Sequence, residues 1–369
     1  MKWSWDIGKI AGIRLTVHWT FLILLVWIFF IYYRIEGSVQ QALMGVVFIL
    51  MLFVCVLLHE LGHSLTARRY GIGTKLITIL PIGGLAQLER MPEEPAHELW
   101  VAAAGPAVNV VIALVLYLVL QLTGHWPDPS MLEEAAGNIG RLGFGFYLFT
   151  ANVVLVLFNL IPAFPMDGGR MLRALLAFRM SRARATQIAA SIGQFLAIAF
   201  VFFGFFVNFW LVFIGIFIYL GAGAESRFET TKSALDGIYV RDVLMTSFKT
   251  VSSHDTLGHV VDLLLDGTQT EFLVLEHGEV VGVVTRTDLV RGLAQFGMDG
   301  NVMEVAQKDF VSLMPDQQLI GVYNLLMAGP TRVAPVVERG QLLGMVDKEN
   351  IDEIILVNRA LEQAGSAHF

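Results

Sequence analysis

Five uncharged runs govern what this chain can fold into. Residues 15–33, 37–58, 99–122 and 142–166 are each long enough to cross about 30 Å of hydrocarbon as one helix at 1.5 Å per residue. The fifth, 185–224, holds 40 uncharged residues. As one helix it would be about 60 Å long, twice the bilayer core, so it reads as two helices folded back near Asn208. A polytopic α-helical membrane protein with six transmembrane helices and both termini on one side is the expected fold. A mean hydropathy of +0.64 and a 55% hydrophobic share agree with a chain that lies in lipid.

Orientation follows from the basic residues in alternate connections. One side receives Lys2, Lys9, Arg14, Arg68, Arg69, Lys75, Arg90, Arg170, Arg173, Arg179, Arg182 and Arg184, and the other only Arg34 and Arg141. The side with twelve is expected to be cytoplasmic. The first apolar run is long and lacks a small-residue cleavage site, so no cleavable signal peptide is expected. Residues 225–369 carry 11 Lys+Arg against 21 Asp+Glu. So acidic a segment, placed in the cytoplasm by the same parity, excludes nucleic acid as the expected partner. The single cysteine, Cys55, excludes an intrachain disulfide.

The connection 70–98 is not an ordinary loop. Residues 74–80 are partly β-branched, Pro81 and the pair Gly83-Gly84 follow, and 85–88 are again apolar or amide-bearing. A strand, a turn and a second strand fit that composition, the alternative being a loop resting on the headgroups.

At the end of the second run stands His59-Glu60-Leu61-Gly62-His63. On a helix, positions i and i+4 share a face, so both imidazoles can bind one Zn²⁺ while Glu60 is placed to take a proton from the attacking water. Ionisable residues at membrane depth are costly, which argues against histidines that merely pack. A catalytic zinc needs a third protein ligand, for which Cys55, His18, His97, His125 and Asp167 are candidates. Cys55 lies one turn before His59, and three ligands in line on one helix make a poor tetrahedron. The three histidines sit at span ends, where a ring at headgroup level is ordinary. Asp167 ends the run Asn159-Leu160-Ile161-Pro162-Ala163-Phe164-Pro165-Met166-Asp167-Gly168-Gly169-Arg170, whose prolines and glycines force the backbone to unwind. Parity brings the ends of the second and fourth spans to the same face. His59 precedes Arg68 by nine residues, about 13 Å of helix, which sets the metal inside the bilayer near its cytoplasmic side. In the third span, Ala102-Ala103-Ala104-Gly105 allows close helix approach, and Asn109 can hydrogen-bond across it.

Together these residues resemble the signature of the site-2 protease family, zinc metalloproteases that cut substrates within the membrane. The resemblance runs from Gly12-Ile13-Arg14-Leu15-Thr16-Val17-His18-Trp19 through the sixth span, with the HExxH, GPxxN and NxxPxxPMDGG motifs in the family's order. It implies that His59, His63 and Asp167 hold one zinc per chain, that Glu60 is the general base and that Asn159 stabilises the oxyanion. It also implies that 70–98 is a membrane-embedded hairpin holding the substrate as an added strand.

Residues 237–356 repeat at an offset of about 62: Val280-Val281-Gly282-Val283-Val284-Thr285-Arg286-Thr287-Asp288-Leu289 matches Leu342-Leu343-Gly344-Met345-Val346-Asp347-Lys348-Glu349-Asn350-Ile351. Each copy reads helix, strand, strand, helix, and the two are expected to bury their sheets against each other. They resemble a tandem pair of CBS domains, a resemblance that implies an adenine nucleotide contacted by Thr285 and Asp288, or a dimerising module. The second copy departs, with Asp347 and Asn350 in those places. The expected organisation is a membrane core over 1–224, a linker over 225–236, CBS copies at about 237–295 and 300–356 and a tail over 357–369. The expected function is an intramembrane zinc endopeptidase acting on a membrane-spanning protein, regulated by a cytoplasmic α/β CBS module that also forms a homodimer. A CBS-gated transporter or channel is the competing class, against which stands the lack of two similar halves with matching broken helices.

Overall fold

The computed structural model describes residues 3–127 and 143–366, so Lys2 and Arg141 of the charge count lie outside the described residues. The chain divides into two compact units, Met1–Glu229 and Thr230–Phe369.

The first unit opens with two strands, β1 (Ser4–Ile10) and β2 (Ile13–His18), ahead of helix α1 (Trp19–Glu36). This corrects the first expected span, because residues 15–18 are strand. Ile13 and Leu15 alternate with Arg14 in burial, the period-2 pattern of a pleated strand. His18 then ends the strand as the cap of α1, its Nδ1 accepting from the Thr20 amide. Helix α2 (Val39–Arg69) runs without a break through the HExxH motif, and strands β3 (Thr74–Leu80) and β4 (Gly83–Leu88) follow it. The connection is thus the expected hairpin, but it is half of a larger object. The sheet order is β1-β2-β3-β4, with β2 parallel to β3 and both hairpins antiparallel. Ile13, Leu15 and Ile77 from this sheet pack on Leu61 inside the HExxH segment, so the sheet lies against the helix that carries the motif.

Helices α3 (Pro95–Leu122), α4 (Phe144–Asn159), α5 (Asp167–Ala177), α6 (Arg182–Gly204) and α7 (Trp210–Leu235) complete the bundle. Five helices among the described residues are long and apolar enough to span a membrane, namely α1, α2, α3, α6 and α7. The fourth expected span, 142–166, is helical only over the 16 residues of α4, after which the chain unwinds until α5 begins at Asp167. The 40-residue run splits into α6 and α7 around Asn208, whose Oδ1 accepts from the Trp210 amide. Outward-facing residues such as Trp27, Phe30, Phe195, Phe206 and Trp210 are more than half exposed, an apolar surface that only lipid would cover. Residues 225–235, expected as linker, continue α7 as helix.

The second unit is α/β. Strand β5 (Thr250–Ser252) pairs in parallel with β6 (Glu271–Glu276), which is antiparallel to β7 (Glu279–Thr285). Helices α8 (Leu257–Leu265) and α9 (Arg286–Phe296) cover this sheet through Leu257, Val260 and Leu289. The second copy has the antiparallel pair β8 (Val333–Glu338) and β9 (Gln341–Asp347), with α10 (Leu319–Ala328) and α11 (Lys348–Ser366). Leu273 and Val283 of one hairpin and Val333 and Met345 of the other share one buried cluster.

Candidate metal centre

His59 and His63 project from one face of α2 toward Asp167, the first residue of α5. The two Nε2 atoms are 3.0 Å apart, and each lies 3.1 Å from Asp167 Oδ2. All three residues are buried, and together they are the one group of potential metal ligands among the described residues.

The outer ring atoms decide what the inner ones can be. His59 Nδ1 is 2.6 Å from Asn109 Oδ1, and His63 Nδ1 is 2.7 Å from the Val101 carbonyl. Both partners only accept, so both Nδ1 atoms carry a proton, which is the tautomer that leaves Nε2 free to ligate an ion when the ring is neutral. The Asn109 amide is itself fixed. Its Nδ2 donates to Asn152 Oδ1 at 2.8 Å, and Asn152 Nδ2 donates to the Leu148 carbonyl at 2.8 Å. From that carbonyl back to His59 the donors and acceptors have a single consistent assignment. Two Nε2 atoms and a carboxylate oxygen therefore converge on one point, an arrangement that suits a cation. Edges of 3.0–3.1 Å approach the roughly 3.3 Å expected between ligands of a tetrahedral ion with bonds of about 2 Å.

Glycines make room for this cluster. A Cβ on Gly105 would strike the rings of His63 and His59, and one on Gly62 would lie 2.9 Å from the Ala104 carbonyl, so α2 and α3 meet backbone to backbone here. Glu60 is on the side of the sheet: a Cβ on Gly84 of β4 would fall 2.6 Å from its Cγ. The Glu60 carboxylate makes no hydrogen bond among the described residues, which leaves it available.

The other candidates are engaged elsewhere. Cys55 is buried and accepts a long contact, 3.5 Å, from Asn152 Nδ2. His97 stacks on Tyr70 with ring centroids 3.9 Å apart, and His125 is exposed. The Asn159 amide is engaged on its own helix, its Nδ2 donating to the Leu155 carbonyl at 3.0 Å. Asn152 is absent from the sequence expectation, and an asparagine inside an apolar helix is the signal that marks it.

In the second unit, Thr285 and Asp288 are buried at the start of α9. Thr285 donates to Asp288 Oδ2 at 2.6 Å and caps the helix by accepting from the Asp288 amide. Gln307, absent from the sequence expectation, donates to the same Oδ2 at 2.7 Å. These residues line a cleft of about 460 Å³ together with Glu271, Arg291 and Arg332. Burial pushes the Glu271 carboxyl up to about 6, against the pull of the hydrogen bond from the Arg332 amide. In the second copy, Asp347 accepts from the Glu349 amide as a helix cap, and Asn350 donates to the Val243 carbonyl.

The sequence profile of Peptidase family M50 matches residues 47–126 and 129–200, and that of the CBS domain matches 240–295. Zinc metalloprotease MJ0392 of Methanocaldococcus jannaschii is 33% identical over 352 residues, which are 95% of this chain and 96% of that one. Putative zinc metalloprotease sll0528 of Synechocystis is 29% identical over 336 residues, 86% and 85% of the two chains. Among solved structures, a site-2 protease from M. jannaschii is 38% identical, covering 61% of this chain and 96% of that one with a TM-score of 0.45. With one third of its residues identical to a zinc metalloprotease across nearly the whole of both chains, this protein belongs to peptidase family M50, the site-2 protease family, and carries a CBS domain.

Proposed function

We propose that the protein is an intramembrane zinc endopeptidase that cuts a membrane-anchored regulatory protein within or near its transmembrane segment. One observation carries this reading: two imidazole Nε2 atoms and the Asp167 carboxylate converge in a buried site on helices of a membrane bundle, beside an unengaged glutamate. His59, His63 and Asp167 would hold a single zinc, which when bound polarises the scissile carbonyl and makes water nucleophilic near neutral pH. Glu60 takes the proton from that water and returns it to the leaving amine. Asn109 and the Val101 carbonyl keep both imidazoles in the ligating tautomer. Asn159 would stabilise the oxyanion once its amide leaves Leu155. The outer edge of β4 has no partner strand among the described residues, and an unwound substrate segment can pair there, bringing its carbonyl past Gly84 toward Glu60.

The second unit would lie in the cytoplasm and regulate the protease, with an adenine nucleotide in the cleft at Thr285 and Asp288 and with a second copy of the chain as dimer partner. A gated transporter is not favoured, since a transporter offers no role for a metal triad with an adjacent base.

The test uses the full chain in proteoliposomes with a single-span substrate. The native protein should contain one zinc and cleave; Glu60→Gln should keep the zinc and lose cleavage, because an amide cannot accept the proton. Turnover by that variant, or a native protein without zinc, would overturn the assignment.

A further inference from the structure

The largest fully buried side chain among the described residues is a charged one. Arg173, on α5, is 0% exposed, although the sequence counts it among the cytoplasmic arginines. Its Nε and Nη2 donate to Glu98 Oε1 at 2.8 and 2.5 Å, and its Nη1 donates to Glu225 Oε1 at 2.5 Å. The guanidinium also lies over the Phe164 ring, 5.0 Å from its centroid. Arg182, at the start of α6, donates to Glu98 Oε2 at 2.6 Å and to Glu229 Oε1 at 2.7 Å. Two arginines and three glutamates thus join α3, α5, α6 and α7 at one point.

Such a cluster is weak evidence for stability, since desolvation consumes most of the Coulombic gain, and an apolar core would hold four helices as well. What it supplies is direction: a planar guanidinium fork donates to its carboxylates along fixed directions in its plane. The two helices it ties most tightly are those on which the metal centre depends. Glu98 lies one turn before Val101, whose carbonyl holds His63, on the same helix as Gly105 and Asn109. Arg173 lies less than two turns after Asp167 on the short helix α5. The segment before Asp167 is non-helical, so no continuous helix upstream sets the register of α5.

We propose that Arg173, clamped by Glu98 and Glu225, is a positioning residue that sets where Asp167 stands relative to the two imidazoles. Glu225 and Glu229 extend the same control to α7. The inference rests on the reading of His59, His63 and Asp167 as the zinc site.

Full-length native protein, Arg173→Met and Glu98→Gln are purified and compared in three measurements: zinc affinity by competition with a chromophoric chelator, the visible absorption of the cobalt-loaded protein, and Tm without metal. Both variants are expected to bind zinc roughly 10–100-fold more weakly, the range for lost outer-shell support, and to show an altered cobalt spectrum. Arg173→Lys, which keeps the charge but not the fork, should recover part of the affinity. Native affinity and an unchanged spectrum in whichever variant folds, with only Tm lowered, would make the cluster a helix staple and overturn the proposal. A native protein that binds no zinc would instead refute the metal site on which it rests.

Discussion

Replacing Asn152 by leucine tests the amide chain that reaches the metal centre from behind. Asn152 touches no ligand, yet its Oδ1 is the acceptor for Asn109 Nδ2, and both residues are 0% exposed. Leucine leaves that Nδ2 without a partner where water cannot replace it, at a cost of about 1–3 kcal/mol. Rotating the Asn109 amide offers no escape. Its NH₂ would then face His59 Nδ1, and His59 could accept only by moving its own proton to Nε2, the atom that must stay bare to bind metal. Either way the penalty falls on the ligating form, and at 1.4 kcal/mol per factor of ten zinc binding should weaken about 10–100-fold. Chelator competition on the full-length variant in detergent measures this directly. Affinity within twofold of the native protein, alongside a clear loss in Asn109→Ala, would show that the tautomer of His59 does not depend on Asn152.

Two further outcomes are expected. Gly84→Ala should slow cleavage by about 10²-fold with zinc content unchanged, because the added methyl displaces Glu60 by the order of an ångström while leaving the ligands alone; a parallel loss of zinc would mean that β4 supports the ligands rather than the base. The Glu271 carboxyl is pushed up from 4.5 to about 6 by burial, so the folded chain holds that proton more tightly than the unfolded one. The stabilisation from Glu271 is fully present below pH 4.5 and lost as pH rises through 6. Scanning calorimetry of the full chain should show the transition of the second unit falling over that interval relative to Glu271→Gln, and parallel profiles for the two proteins would remove Glu271 as the cause.

What the sequence made legible was what depends on short-range spacing. His59 and His63 share a face because they are four apart on a helix, and the apolar runs announce α2, α3, α6 and α7 by length alone. Asp167 was reachable because Pro162 and Pro165 mark an unwound segment, whereas Gly168 and Gly169, read as part of it, form the first turn of α5. The sheet was only half readable. Residues 13–18 join a hydrophobic helix, and the alternation of Ile13, Leu15 and Val17 is overwhelmed by the apolar run it precedes. Their pairing with β3 spans some sixty residues of chain, as the Thr16–Thr78 hydroxyl contact at 3.0 Å illustrates. Asn152 and Arg173 were invisible as a pair of supports for a different reason. Each acts through partners 43 to 97 residues away, and charge counting assigns every arginine near a span end to the headgroups.

The line from Leu148 through Asn152 and Asn109 to His59 is built from amides, and amides do not pass protons along. A carboxylate in either place could shuttle a proton toward or away from the imidazole. Here the hydrogen bonds orient the ring while insulating it, so the rear of the centre is a closed wall for proton movement. His63 is sealed in the same way by the Val101 carbonyl. Under the proposed function, protons released or taken up during turnover would then pass on the side of the sheet, where the Glu60 carboxylate stands beside Gly84.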